Sequence, residues 1–338
     1  MTKRSQKVRN FILQNVDKYP RDIAEKASSY YSISRQSVNR HLNQLMDKQV
    51  LDAEWTIKNR SYQLRILESW NKHYQINEQL AEDVAWREDI ESLLPAVPDN
   101  VLSMWHYGVT EIFNNAIDHS GGSEIRAQIK KTATSVECIV TDDGVGIFDK
   151  IKNEYKLLDE RHAVLELSKG KLTTDPQKHP GQGIFFTSRM FDEFTILSGE
   201  TFFGHKHGEP EDWIVESGSL QSGTMVSMKL KNDESRTMNE VFKQYSNGGD
   251  HAFSKTVVPV RLAQYEHESL ISRSQAKRLM KRVDEFDKVI LDFDRVRSVG
   301  QAFADEIFRV FCTEHPKVEV TAINENEAVR QMISRAQS

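Results

Sequence analysis

The stretch TEIFNNAIDHSGG, Thr110 to Gly122, decides how this chain folds. Val109, Ile112, Phe113, Ala116 and Ile117 recur at helical spacing and form one apolar stripe. Glu111 and Asn115, four residues apart, fall together on another face. Taken alone, these polar residues read equally well as a solvated helix face or as the wall of a site. The surrounding sequence has to decide between the two.

With 338 residues, 38% hydrophobic and 28% charged, the chain has the composition of a globular protein of two or three domains. The polar start MTKRSQKVRN and the absence of a long apolar run predict a cytoplasmic protein that does not enter a membrane. Cys138 and Cys312 lie far apart in apolar-rich segments, which excludes a zinc pattern or a disulfide framework and predicts buried thiols. The net charge of −5 hides an asymmetry. Residues 1–65 hold 13 Lys and Arg against 6 Asp and Glu, a balance of +7; the rest holds 32 against 44, a balance of −12. The basic segment suits a polyanion partner.

That segment reads as three helices and a hairpin. QKVRNFILQNV places Val8, Phe11, Ile12 and Val16 on one face, RDIAEKASSYY follows Pro20, and SRQSVNRHLNQLMDKQV opens on an N-cap at Ser34. In LDAEWTIKNRSYQL, alternation around KNRS predicts two strands. The pattern resembles a winged helix-turn-helix. The resemblance implies that Arg35, Gln36, Ser37, Asn39 and Arg40 face the major groove of duplex DNA, with Lys58 and Arg60 near phosphate. A dimerisation or protein-docking module is the alternative.

Residues 66–99 read as an acidic helical connector, residues 100–232 as an α+β domain, and residues 250–338 as strands alternating with helices, an α/β domain. Three further stretches stand out: TDDGVGI (Thr141–Ile147), HPGQGIFFTSRM (His179–Met190) and SGTMVSMKL (Ser222–Leu230). Each alone is a common turn or cap. Their order is not: an Asn-bearing helix, an Asp/Gly turn after a strand, a Gly-x-Gly before a helix and a Gly-Thr opening a strand.

Together they resemble the GHKL ATP-binding fold of gyrase, mismatch-repair proteins, the large heat-shock chaperone, sensor histidine kinases and anti-sigma-factor kinases. The resemblance implies an α/β sandwich with a mixed sheet and helices on one face, with a lid at about 150–180. It also implies ATP and Mg2+ as cofactors. Asn115 would supply the magnesium oxygen, Asp142 would accept from the adenine amino group, and Thr224 would lie near adenine. Gly144 and Gly146 would let backbone approach base and ribose, and Gly181 and Gly183 would precede a phosphate-binding helix N-terminus. Glu111 would activate the attacking oxygen, either of water or of a Ser hydroxyl.

KGKLTTD (Lys169–Asp175) lacks the order of a P-loop and falls in the lid. His119 reads as a helix end, and His205 and His207 as a solvated hairpin tip. The last unit, on VILDFDRVRSVGQAFADEIF, resembles the STAS-like domain of unknown function that follows such ATPase modules. Where STAS antagonists of anti-sigma factors carry a phosphoacceptor Ser, this chain has Gln301 and Ala302, with Ser298 nearby. The expectation is a multi-domain protein: a winged helix, a GHKL ATPase and a STAS-like domain. Its function would be a nucleotide-switched DNA-binding regulator, with a homodimer and a protein partner on the STAS-like domain as further expectations. A protein serine kinase acting on a STAS-type domain, or a non-hydrolysing ATP-sensing scaffold, are the alternatives.

Overall fold

The computed structural model describes residues 3–55, 60–172, 181–209, 212–216, 222–246, 253–264 and 269–338. At the start, α1 (Lys3–Asn15), α2 (Ile23–Tyr31) and α3 (Arg35–Asp47) pack around their own core of Val8, Ile12, Ile23, Val38, Leu42 and Leu45. Ser34 caps α3, its hydroxyl accepting from the Ser37 N–H at 3.2 Å. β1 (Leu51–Trp55) pairs antiparallel with β2 (Arg60–Leu64) and lays Leu51 and Tyr62 on the helices.

The next segment departs from the expected connector. Between residues 66 and 98 the chain is helical only in α4 (Glu82–Ala85), the π-helical turn Trp86–Ile90 and the 3-10 turn Glu91–Leu93 that continue it. Ahead of these lies β3 (Glu68–Gln75), an edge strand of the large sheet. Its sequence, ESWNKHYQ, buries only Tyr74 fully. An edge strand needs little apolar alternation, so its period is faint, and its partner residues lie 49 (Gln75 to Glu124) to 63 (Glu68 to Lys131) positions away in sequence.

α5 (Asp99–His119) crosses the sheet and buries Val101, Met104 and Trp105 together with Val109, Ile112, Phe113 and Ala116 of the opening stripe, whose fifth residue, Ile117, is half-buried. β4 (Glu124–Lys131) and β5 (Ser135–Asp142) follow, then α6 (Ile147–Glu154), α7 (Glu160–Lys169) and α8 (Gly183–Met190). β6 (Glu193–Ser198), β7 (Thr201–Lys206), β8 (Trp213–Glu216), β9 (Thr224–Lys231) and α9 (Met238–Gln244) complete the unit. The sheet order is β3-β4-β5-β9-β6-β7-β8. Each pairing in it is antiparallel, so parallel and antiparallel strands coexist across the chain rather than within this sheet.

The C-terminal unit comprises β10 (Lys255–Pro259), α10 (Arg273–Leu279), β11 (Lys288–Asp292), α11 (Gln301–Asp305), α12 (Cys312–Glu314), β12 (Glu319–Ile323) and α13 (Glu327–Gln337). Its three strands are parallel in the order β10-β11-β12, a pairing that needs crossover connections, which the intervening helices supply. Its core is continuous with that of the central unit.

His205 is no hairpin tip. It lies on β7, where Asp212 accepts a bidentate pair from Arg189 at 2.7 Å each and sits 2.6 Å from the imidazole Nδ1. Burial forces these polar groups to pair with one another. The guanidinium then holds the Asp212 carboxyl far below its usual range despite that burial. Cys138 is buried within β5, and Cys312 is only half-buried. No helix of the described residues is long and apolar enough to cross a membrane.

Candidate functional site

The polar face of α5 forms one wall of a cavity of about 430 Å³, within the range of small-molecule sites. Glu111, Asn114, Asn115 and His119 line it, with Tyr107 one turn earlier. The Asn115 Nδ2 donates to the Glu111 carbonyl at 2.8 Å, so Oδ1 is the atom its amide presents to a ligand. Burial raises the Tyr107 phenol above its ordinary range, and the Glu111 charge adds to this. His119 both ends α5 and lines the cavity, its carbonyl accepting from Lys150 Nζ at 2.6 Å.

The floor is the end of β5. Asp142 Oδ1 accepts from the Gly144 N–H at 2.9 Å and the Thr224 N–H at 3.2 Å. Burial pushes its carboxyl up from the ordinary value, and those two hydrogen bonds pull partly back. Thr224 Oγ1 accepts from the Ile147 N–H at 3.0 Å, which ties the start of β9 to the start of α6. Gly146 has φ +87, and a Cβ there would stand 2.6 Å from Ser198 Oγ. The chain can turn here only without a side chain. A Cβ on Gly144 would overlap the Ser120 carbonyl, so this turn sits flush against the end of α5.

The third side is the N-terminus of α8. Gly181, at φ +68, accepts at its carbonyl from the Leu172 N–H at 3.0 Å, and both residues line the cavity. Gly183 opens the helix, and a Cβ on it would overlap Glu111 Oε2. The carboxylate therefore lies directly over the N–H end of α8, an anion-attracting position. Glu111, Asn115, Asp142, Gly146, Gly181, Gly183 and Thr224 are thus neighbours around one cavity, with Gly144 just behind its floor.

Three contributors were not legible in the sequence. Asp143, beside Asp142, faces away and accepts from Ser123 N–H and Oγ at 2.7 Å each and from Glu124 N–H at 2.9 Å. These bonds hold its carboxyl down to about 2 and pin the turn after β5 to the entry of β4. Lys150 and Tyr107 bring a cation and a phenol to the lining, and neither sits in a recognisable motif.

On the N-terminal unit, Arg35, Gln36, Asn39 and Arg40 are exposed on α3, and Ser37 is half-buried. Arg35 is held by Glu25 of α2 at 2.5 Å. Arg60 does not project from the hairpin: its guanidinium packs on the Tyr62 ring, 5.0 Å from the centroid, and on Met46. Lys58 lies outside the described residues.

Comparison with known families agrees with the architecture of the two larger units. Residues 275–330 match the STAS-like domain of unknown function. No curated protein matches the chain. Residues 63–202 match the histidine kinase-like ATPase domain, so that domain begins before β3, and the chain carries this ATPase domain followed by a STAS-like domain.

Proposed function

We propose that this chain is an ATP-binding, nucleotide-switched DNA-binding regulator whose central domain hydrolyses ATP with Mg2+. The observation that supports it most is the convergence of Glu111, Asn115, Asp142 and the Gly181–Gly183 turn on one cavity. The donor set fits a nucleotide. Asp142 can accept from an exocyclic amine, its Oδ1 being already oriented by two backbone N–H groups. The backbone N–H groups at the start of α8 can bind phosphate oxygens. Asn115 Oδ1 gives magnesium one hard oxygen ligand, and the metal, when bound, neutralises phosphate charge. Glu111 can take the proton of an attacking water at the mouth of α8. Arg35, Gln36, Asn39 and Arg40 give α3 an exposed polar face on the domain of net charge +7, which suits duplex DNA.

One observation favours a second reading, a protein serine kinase acting on a STAS-type domain: the STAS-like domain packs directly beside α7. α11 begins at Gln301, so no hydroxyl stands where loop meets helix, and Ser298 is exposed two residues before the helix cap. Incubation of the full chain with γ-labelled ATP and Mg2+ separates the readings. Free labelled phosphate supports the first, label retained on protein the second, and neither outcome leaves an ATP-sensing scaffold. Fluorescence anisotropy on random duplexes at low salt tests the DNA half, and no binding there would overturn it.

A further inference from the structure

α7 has two sides. Leu167 faces the nucleotide cavity, while Glu166 and Lys169 are 2% and 1% exposed against the C-terminal domain. Lys169 Nζ donates to Glu166 Oε1 at 2.6 Å and to the Lys281 carbonyl at 2.8 Å. Arg282 reaches Glu166 Oε2 at 3.4 Å, Glu285 Oε1 at 3.0 Å and the Lys171 carbonyl. Lys171 in turn donates to the Glu285 carbonyl at 2.5 Å, its ammonium 4.5 Å from the centre of the Phe286 ring. From β10, Thr256 Oγ1 donates to the Lys169 carbonyl at 2.7 Å.

A second contact grips the other side of the cavity. Phe253, where the chain enters the C-terminal domain, lies 4.8 Å from Phe185 and 4.9 Å from Phe186 of α8, centroid to centroid, and 5.3 Å from Phe286. Gly170 closes the end of α7 against the same ring: a Cβ there would stand 2.6 Å from it. The C-terminal domain therefore holds both α7 and α8, the two helices whose residues Leu167, Gly183 and Phe185 line the cavity.

An interface needing only stability would do as well or better with apolar side chains here, because burying Glu166 and Lys169 carries a desolvation cost. What a buried charge cluster adds is geometry. Glu166 and Lys169 pair within α7, and the register against residues 281–285 is set by the bonds that cross, Lys169 to the Lys281 carbonyl and Arg282 to Glu166; a slip would take a buried acceptor from Lys169 and the second cation from Glu166.

We infer that the STAS-like domain is a cis-acting regulator of the nucleotide site: it clamps α7 and α8, so occupancy of the cavity and packing of the C-terminal domain are linked. This rests on the reading that the cavity binds nucleotide. Linkage is reciprocal: whatever factor the clamp contributes to nucleotide affinity, nucleotide returns to the clamp. A partner that engages the C-terminal domain could then set nucleotide affinity without touching the cavity.

Hydrogen exchange on the full chain, with and without a saturating Mg2+-bound non-hydrolysable ATP analogue, tests this. Calorimetry and protection of residues 142–151 first establish that the analogue is bound. The expected result is exchange slowed about 5- to 150-fold in residues 255–263 and 281–287. In Arg282→Gln, protection of 142–151 should persist while the effect on 281–287 falls away. If that variant fails to fold by circular dichroism, the wild-type measurement decides alone. Unchanged or faster exchange in 255–263 and 281–287 beside protected 142–151 would overturn the clamp and leave nucleotide binding standing. An analogue that gives neither heat nor protection overturns both.

Discussion

The adjacent carboxylates of TDDG show how much a single position decides. Asp142 turns inward and is raised by burial; Asp143 turns outward and is held at about 2 by its bonds to Ser123 and Glu124. Sequence alone places both in one turn; which of them faces the cavity follows from strand parity, since Asp142 is the last residue of β5. We predict that Asp142→Asn weakens nucleotide binding yet raises the melting temperature of the ligand-free protein. The amide keeps an oxygen for the Gly144 and Thr224 N–H groups and loses the cost of a buried charge. A raised folded-state value means that this cost is absent below the unfolded carboxylate range and accrues as pH rises through the folded value. Each tenfold change in proton affinity is worth about 1.4 kcal/mol. The stability advantage of the variant should therefore vanish at low pH and be full at neutrality, as thermal melts across pH would show. For Glu111→Gln, nucleotide should stay bound in calorimetry while turnover falls about 10²- to 10⁴-fold, since the amide cannot accept the proton. Turnover at the wild-type rate would make Glu111 a structural residue.

Elements with a strong period were legible, and those without one were not. α5 announced itself through five apolar residues at helical spacing, and Glu111 and Asn115 followed as its second face. The C-terminal strands, short apolar runs such as KTVVP and KVILD alternating with helices, were equally clear. β3 escaped because an edge strand that shows mostly polar residues looks like any acidic connector. The packing of Arg60 was not legible for a related reason: alternation assigns a strand face, but a long side chain can fold back onto Tyr62 and Met46. On α3, the pairing of Arg35 with Glu25 yields a prediction that the sequence could not. Both side chains are well exposed, so the pair is weak. Glu25→Ala should release Arg35 and remove a repelling charge, strengthening duplex binding about 1.4- to 5-fold at low salt, the equivalent of an exposed ion pair. Anisotropy titrations that show weaker binding would place DNA elsewhere.

At the scale of the whole molecule, the chain is basic at one end and acidic in the remainder, with its two larger units sharing one core. The N-terminal core is separate, and polar contacts such as Asp17 with Lys229 at 2.9 Å and Gln14 with Asp233 at 3.2 Å join it to the central domain. A fragment beginning at residue 100, where the α+β pattern starts in the sequence, should aggregate or melt early, because it strips β3 from β4 and removes Trp86 and Ile90 from the core. A fragment beginning at residue 66 should keep the sheet; equal melting of the two would show β3 to be dispensable. The join itself is short. Arg65 N–H still donates to Val50 of the hairpin module at 3.0 Å, and Leu67 N–H already donates to Lys131 of the sheet at 2.7 Å. A single residue, Ile66, separates the two attachments, which leaves the pair no tether on which to tumble independently. Torque applied at the hairpin passes into the edge of the sheet, and a graft of another N-terminal module would have to reproduce this one-residue crossing to inherit its stiffness.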